Sequence, residues 1–270
     1  MNKTLKLFLS GAAIGIANLI PGVSGGTFAV ILGVYDDIIE AVSNYLTAPE
    51  KRKQYTIFLA RLGLGSILAI GLFSHLINWL LESAYPMTMS LFIGLILGSI
   101  PTLLKAHSDM TPTRSKIIMG IFGFLALVAM TLVPERLPES AQVFSSTGWT
   151  YIFLFISGFI AAATMIIPGI SGSLVLLIMG SYFVILEAIR SMNLTIIGIV
   201  GIGAIVGIIS TAKGINWTLK RWPGHTYYLI IGLLLGSVIH LWPGLNLDIT
   251  GLISVALGFI GFGIPLWLSR

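Results

Sequence analysis

The sequence predicts an all-α polytopic membrane protein made of two inverted repeats. Each repeat should hold a re-entrant helical hairpin, broken at PG[VI]SG, and about three transmembrane helices. Three observations lead there. Only 9% of the 270 residues are charged and 56% are hydrophobic, whereas a soluble domain carries about a quarter charged residues. The apolar runs between charges are roughly 16 to 26 residues long, enough to cross a hydrocarbon core of ~30 Å. Finally, the stretch PGVSGGT at 21–27 returns as PGISGSL at 168–174. Solid apolar blocks exclude a β-barrel, which needs alternating polar and apolar residues.

The repeat extends well beyond that motif. At an offset of 147, residues 21–42 and 168–189 share 10 of 22 identities, including Gly33/Gly180, Tyr35/Tyr182 and Glu40/Glu187. At an offset of 138, INWLL at 77–81 matches INWTL at 215–219, and GLILGS at 94–99 matches GLLLGS at 232–237. Matches in fixed order along a half-chain indicate tandem duplication, with a seam near 133–140. Repeat 1 covers 1–135, with a hairpin over 5–46 and helices over 56–81, 87–104 and 117–133. Repeat 2 covers 141–270, with a hairpin over 149–190 and helices over 194–211, 227–242 and 249–268. Lys3 and Lys6 ahead of an apolar run imitate a signal peptide. A copy of the segment that follows sits mid-chain, so that run is expected to be retained.

Five apolar segments per half is an odd number, so the halves should have opposite orientations. With both termini in the cytoplasm and each motif hairpin returning to its own side, the cytoplasmic face holds Lys3, Lys6, Lys51, Arg52, Lys53, Lys105, Arg114, Lys116, Lys213, Lys220, Arg221 and Arg270. The outer face holds Arg136 and Arg190, and Arg61 lies within a segment. Twelve against two is a strong positive-inside bias. It fixes the inversion, but it leaves open whether the motif pairs span, because their turns carry no charge. Length favours re-entrance: the apolar run from Gly22 to Val34 would be only about 20 Å long.

The net charge of +5 does not indicate nucleic-acid binding, since no basic patch is interleaved with aromatics. The absence of cysteine rules out disulfides and thiolate metal sites. Asp36-Asp37 has no acidic companions for a Mg²⁺–diphosphate site, so neither metal nor cofactor is expected.

The breaks carry the chemistry. Pro21 and Pro168 end the first hairpin helix, because proline lacks an N–H and disfavours helix in the preceding residue. Gly22 and Gly169 take the turn, and Ser24 and Ser171 stand where an N-cap belongs. The N–H groups of Gly25, Gly26 and Thr27, and of Gly172, Ser173 and Leu174, would then be free near mid-membrane. Unpaired donors there are tolerated only where they line a cavity or meet a partner. A helix N-terminus suits an anion, phosphate above all. Two of them facing each other would form an anion site reachable from either side.

Asn18 ahead of IPGVSGGT, then a second IIPGISGS, each followed by Gly-x-Tyr (Gly33 to Tyr35 and Gly180 to Tyr182), resembles the bacterial polyprenyl-phosphate translocase family along nearly the whole chain. The resemblance implies a flippase and not an enzyme, with undecaprenyl phosphate, the lipid carrier of cell-wall synthesis, as substrate. It also implies a plasma-membrane location and recycling of the carrier between leaflets. The family often has an acidic residue after the second Gly-x-Tyr. Here Phe183 takes that place, leaving any acidic role to Glu187.

Other residues admit two readings each. Arg61 either snorkels to the interface or pairs with phosphate, which its fork geometry suits. Glu40 and Glu187 either relay protons or end interfacial helices. His75 and Lys213 are expected at the interface, and Trp79, Trp217, Trp222 and Trp242 fit an aromatic belt. Two rival functions stand beside the flippase. One is a carrier or channel for a small anion such as phosphate or sulfate. The other is an intramembrane serine protease, for which GVSG and GISG would supply the serine and His75 or His240 the base. A protease needs one nucleophile, not two related by inversion.

Overall fold

The computed structural model describes residues 3–20, 22–106, 109–133, 148–244 and 247–268. Pro21, Arg136, Arg270 and the expected seam lie outside them. Among the described residues the chain is helical, without strands. Repeat 1 holds α1 (Lys3–Asn18), α2 (Gly25–Ile31), α3 (Tyr35–Asn44), a 3-10 turn (Pro49–Lys51), α4 (Arg52–Ser83), α5 (Tyr85–Ala106) and α6 (Arg114–Thr131). Repeat 2 holds α7 (Gly148–Ile166), α8 (Gly172–Met179), α9 (Tyr182–Arg190), α10 (Leu194–Arg221), α11 (Pro223–Leu241) and α12 (Ile249–Leu268). Seven of these, α4 to α7 and α10 to α12, are long and apolar enough to cross a membrane.

The boundaries follow local chemistry. α10 continues ten residues past its expected end at 211, because nothing between Thr211 and Arg221 interrupts a helix. It stops at Trp222, whose conformation is restricted by Pro223, and Pro223 then opens α11. The second arm of each hairpin, after the Pro-Gly turn, is not a single helix but two, α2 with α3 and α8 with α9. Each breaks at the glycine of Gly-x-Tyr, with φ +66° at Gly33 and +78° at Gly180. Both breaks are Schellman caps: Gly33 and Val34 donate to Val30 and Ala29, and Gly180 and Ser181 donate to Leu177 and Leu176. α8 and α9 meet there at 105°.

Helices pack in four close pairs, all parallel. In the α1–α4 pair Gly11 faces Leu62 and Gly15 faces Ser66, whose hydroxyl donates to the Gly11 carbonyl at 2.6 Å. The α7–α10 pair repeats this, with Phe155 against Gly203 and Phe159 against Gly207. The other two pairs join the repeats. Gly94 and Gly98 of α5 face Gly258 and Phe262 of α12, while Gly120 and Phe124 of α6 face Gly232 and Gly236 of α11. At these crossings the backbones are so close that any Cβ on Gly94 or Gly232 would overlap the facing carbonyl. Small residues four apart are the usual means of close helix approach in lipid, where apolar burial gives no drive to associate.

The short helix α2 is the most enclosed element, with Thr27, Phe28, Ala29, Val30 and Ile31 all buried. The outer helices show lipid-type surfaces: Leu72 of α4 is 75% exposed and Phe259 of α12 is 74% exposed. Gly15 meets Ser66 near the middle of α4, so the break that follows α1 falls close to half the length of that helix.

Candidate anion site at two helix breaks

The two breaks touch. The Gly169 N–H donates to the Thr27 hydroxyl at 2.9 Å, and the Ser24 hydroxyl lies 3.4 Å from the Met165 carbonyl oxygen, which it faces as donor. Glycine is required at both turns: φ is +79° at Gly22 and +91° at Gly169. Both turns also rest on α11, Gly22 under the His240 imidazole and Gly169 against the Leu233 backbone.

Ser24 is the N-cap of α2, its hydroxyl accepting from the Gly26 N–H at 3.2 Å. The Gly25 N–H donates to the Asn18 side-chain oxygen at 3.1 Å. The expectation that these two donors are free is therefore corrected. Asn18 folds back over the break it precedes and, with Ser24, satisfies them. The second break differs. Ser171 takes the N-cap position of α8 but makes no capping bond, its hydroxyl pairing instead with that of Ser173 at 2.8 Å. Met165 stands where repeat 1 has Asn18, and its side chain has no oxygen to offer. Among the described residues no protein acceptor meets the N–H groups of Gly172, Ser173 or Leu174. Ser24, Thr27 and Ser171 are buried, and Ser173 is exposed. Together the breaks hold four hydroxyls, those of Ser24, Thr27, Ser171 and Ser173, and an uncapped helix N-terminus, groups of the kind that can donate to an anion.

The other expected residues lie elsewhere. Arg61 borders a cleft of about 640 Å³ between α1, α3 and α4, with Glu40, Lys51, Tyr55 and Gln54. Glu40 accepts from the Tyr55 hydroxyl at 3.0 Å and faces Lys51 at 3.5 Å. Its repeat mate Glu187 is exposed on α9, as are His75 and Lys213 on their helices. Among the described residues no histidine is bonded to Ser24 or Ser171, whose hydroxyls are engaged with Met165, Gly26 and Ser173.

Two polar contacts had no sequence signal. The Tyr227 hydroxyl reaches both oxygens of Asp36, at 2.6 and 2.5 Å, tying α3 to the start of α11. Lys116, 6% exposed at its side chain, binds the Asp109 carboxylate at 2.6 Å and the Asp109 and Thr111 carbonyls, closing the α5–α6 connection. Lys116 holds the Asp109 carboxyl below its ordinary value. Among the described residues no cluster of acidic or histidine side chains could hold a metal ion.

The chain is similar to known proteins over most of its length. Residues 14–252 match the model of the VCA0040-like family, described as undecaprenyl phosphate translocase-like. A polyprenyl-phosphate transporter of Staphylococcus aureus is 35% identical over 270 residues, covering 97% of this chain and 95% of that one. A polyprenyl-phosphate transporter of Vibrio cholerae is 33% identical over 250 residues, covering 88% and 78%. No solved structure matches. A match of that extent, over the segment that holds both breaks and six of the seven span-length helices in full, means that this chain belongs to the undecaprenyl phosphate translocase-like family.

Proposed function

We propose that this protein carries undecaprenyl phosphate, or a close polyprenyl phosphate, across the bacterial plasma membrane, returning the lipid carrier of cell-wall synthesis to the cytoplasmic leaflet. It acts as a transporter and performs no covalent chemistry. The observation that carries this reading is the contact between the two breaks, Gly169 to Thr27. It joins two irregular, donor-rich segments from opposite halves at one locus, where irregular backbone is stable only beside a cavity or partner.

The helix directions support inverted repeats with re-entrant hairpins. α1 and α4 run parallel, so the hairpin and α3 bring the chain back to the side it entered from. α7 and α10 support the same for the second hairpin. α5 and α12 are also parallel. If each long helix crosses once and neighbours alternate, α10 then opposes α4. The distribution of positive residues favours cytoplasmic termini.

Phosphate would bind to the Gly172, Ser173 and Leu174 N–H groups and the Ser171 and Ser173 hydroxyls. On the repeat 1 side Ser24, Thr27 and the Gly25 and Gly26 amides would join once Asn18 yields its place. Gly22, Pro168 and Gly169 keep these donors out of regular helix. Glu40 and Glu187 are the candidates for proton coupling. Arg61 would meet the phosphate away from the breaks.

Reconstituted liposomes test the function. Leaflet exchange of a polyprenyl phosphate without uptake of inorganic phosphate is expected. Uptake of inorganic phosphate alone would instead make the protein a small-anion carrier.

A further inference from the structure

We infer that the cleft between α1, α3 and α4 is a second station for the lipid substrate, with Arg61 as its phosphate anchor. The station would serve the leaflet from which α1 enters. This rests on the transport reading above but concerns a place distinct from the helix breaks.

Arg61 lies nine residues into α4, about 14 Å along the axis from Arg52. A charge at that depth is retained where it faces water or an anion. Among the described residues no carboxylate pairs with it: Glu40, in the same cleft, is engaged by Lys51 and Tyr55. The guanidinium thus stands without a salt bridge on the wall of a cleft of about 640 Å³, which Asp37 also lines, a volume in the range of ligand sites. The opposite chemistry lines the same cleft. Leu7, Ile57 and Phe58 supply apolar walls, and Ile57 is 41% exposed on the lipid-type surface of α4.

A cation beside an apolar wall open to lipid matches a phosphomonoester head with a hydrocarbon tail. Inorganic phosphate would use only the cation. Arg61 precedes Leu62, which faces Gly11, whereas the break follows Asn18, beyond the Gly15–Ser66 contact. More than one helical turn therefore separates Arg61 from the level of the breaks.

The chain lacks cysteine, so Ile57→Cys, one turn from Arg61 on the same face, reports occupancy by its rate of alkylation in the purified full-length protein. Farnesyl phosphate should slow alkylation, and inorganic phosphate should not. Adding Arg61→Ala should raise the farnesyl phosphate concentration for half-protection at least about tenfold, the loss expected for hydrogen bonds to a charged group. Arg61→Lys, which keeps the charge but not the fork, should fall between and serves if the alanine variant does not fold. Adding Ser171→Ala should leave protection unchanged. Absent protection, equal protection by inorganic phosphate, or unchanged half-protection in both Arg61 variants would overturn the station. So would loss of protection in the Ser171→Ala variant, which would leave a single central site. Failure of the wild-type protein to exchange polyprenyl phosphate in liposomes would sink the transport reading itself. Normal exchange with unprotected Ile57→Cys would sink only the cleft.

Discussion

Thr27 and Gly169, 142 positions apart, are joined by a buried 2.9 Å hydrogen bond from the glycine amide to the threonine hydroxyl. It ties the first turn of α2 to the turn before α8, and so couples the two breaks mechanically. A shift of either hairpin must stretch this bond or carry the other with it.

Thr27→Val keeps the shape of the side chain and removes the acceptor. The Gly169 N–H is then buried without a partner, which costs about 1–3 kcal/mol. Thermal unfolding in detergent should fall accordingly and transport should decline, while Thr27→Ser should restore both. Equal behaviour of the valine and serine variants would remove the bond from the argument.

The two N-cap serines should not be equivalent. Ser24→Ala removes the cap of α2 and the contact to Met165, a loss of about 0.5–2 kcal/mol in stability. Ser171→Ala removes only a bond to the exposed Ser173, so it should melt near wild type yet transport poorly. The glycines should rank the other way. A Cβ on Gly172 would come within 2.7 Å of the Ala161 carbonyl oxygen, whereas one on Gly25 meets the movable Asn18 amide at 2.8 Å. Gly172→Val should therefore reduce folded protein more than Gly25→Val. Membrane abundance and transport of all four variants check both orders.

The breaks were legible because proline and clustered glycine act locally, whatever surrounds them. Pro223 acts locally in the same way, but hydropathy ended the helix at 211 and so missed the boundary that proline sets. The second breaks at Gly33 and Gly180 were not, since a lone glycine in an apolar run also fits a continuous helix. Their left-handed caps depend on the two carbonyls that receive the last amides. Pairing was also hidden: glycines at 94 and 98 announce a close approach without naming α12 as the partner. The Asn18 contact with Gly25 depends on a side chain folding back across a turn. Arg61 reads in sequence as either an interfacial anchor or a phosphate ligand, and only the packing of α1 against α4 separates it from the breaks.

The Lys116–Asp109 pair should be asymmetric on mutation. Asp109→Asn leaves a buried ammonium with only carbonyl acceptors, whereas Lys116→Met leaves a half-exposed carboxylate in contact with water. Asp109→Asn should thus be the more destabilising. The Asp109 carboxyl titrates below its ordinary 3.8 in the folded protein, so its contribution is present above that value and lost as pH falls through the folded value. Melting curves of wild type and Asp109→Asn should differ by a constant amount between about pH 5 and 8 and converge below about pH 4. A difference that grows on acidification would contradict the pairing.

Helix direction fixes which ends can be reached from one face. α4 and α5 are joined through Ala84 alone, and α10 and α11 through Trp222 alone, so each junction reverses the chain if both partners cross. α5 lies parallel to α12, and α12 follows α11. If every long helix crosses, counting reversals from α4 gives α10 the opposite sense, and Lys51 and Met192, just ahead of these two helices, should lie on opposite faces. α7 runs parallel to α10, so Trp149 at its start should share the face of Met192. Trp149 and Met192 are 80% and 69% exposed, and Lys51 is exposed as well, so single cysteines there should be open to an impermeant thiol reagent. In intact cells Trp149→Cys and Met192→Cys should label, and Lys51→Cys should label only after permeabilisation, as the Lys51–Lys53 cluster requires of a cytoplasmic loop. Labelling of Lys51→Cys and Met192→Cys from one face would end the inverted repeat. Labelling of Trp149→Cys and Met192→Cys from opposite faces would turn the second hairpin into a full crossing.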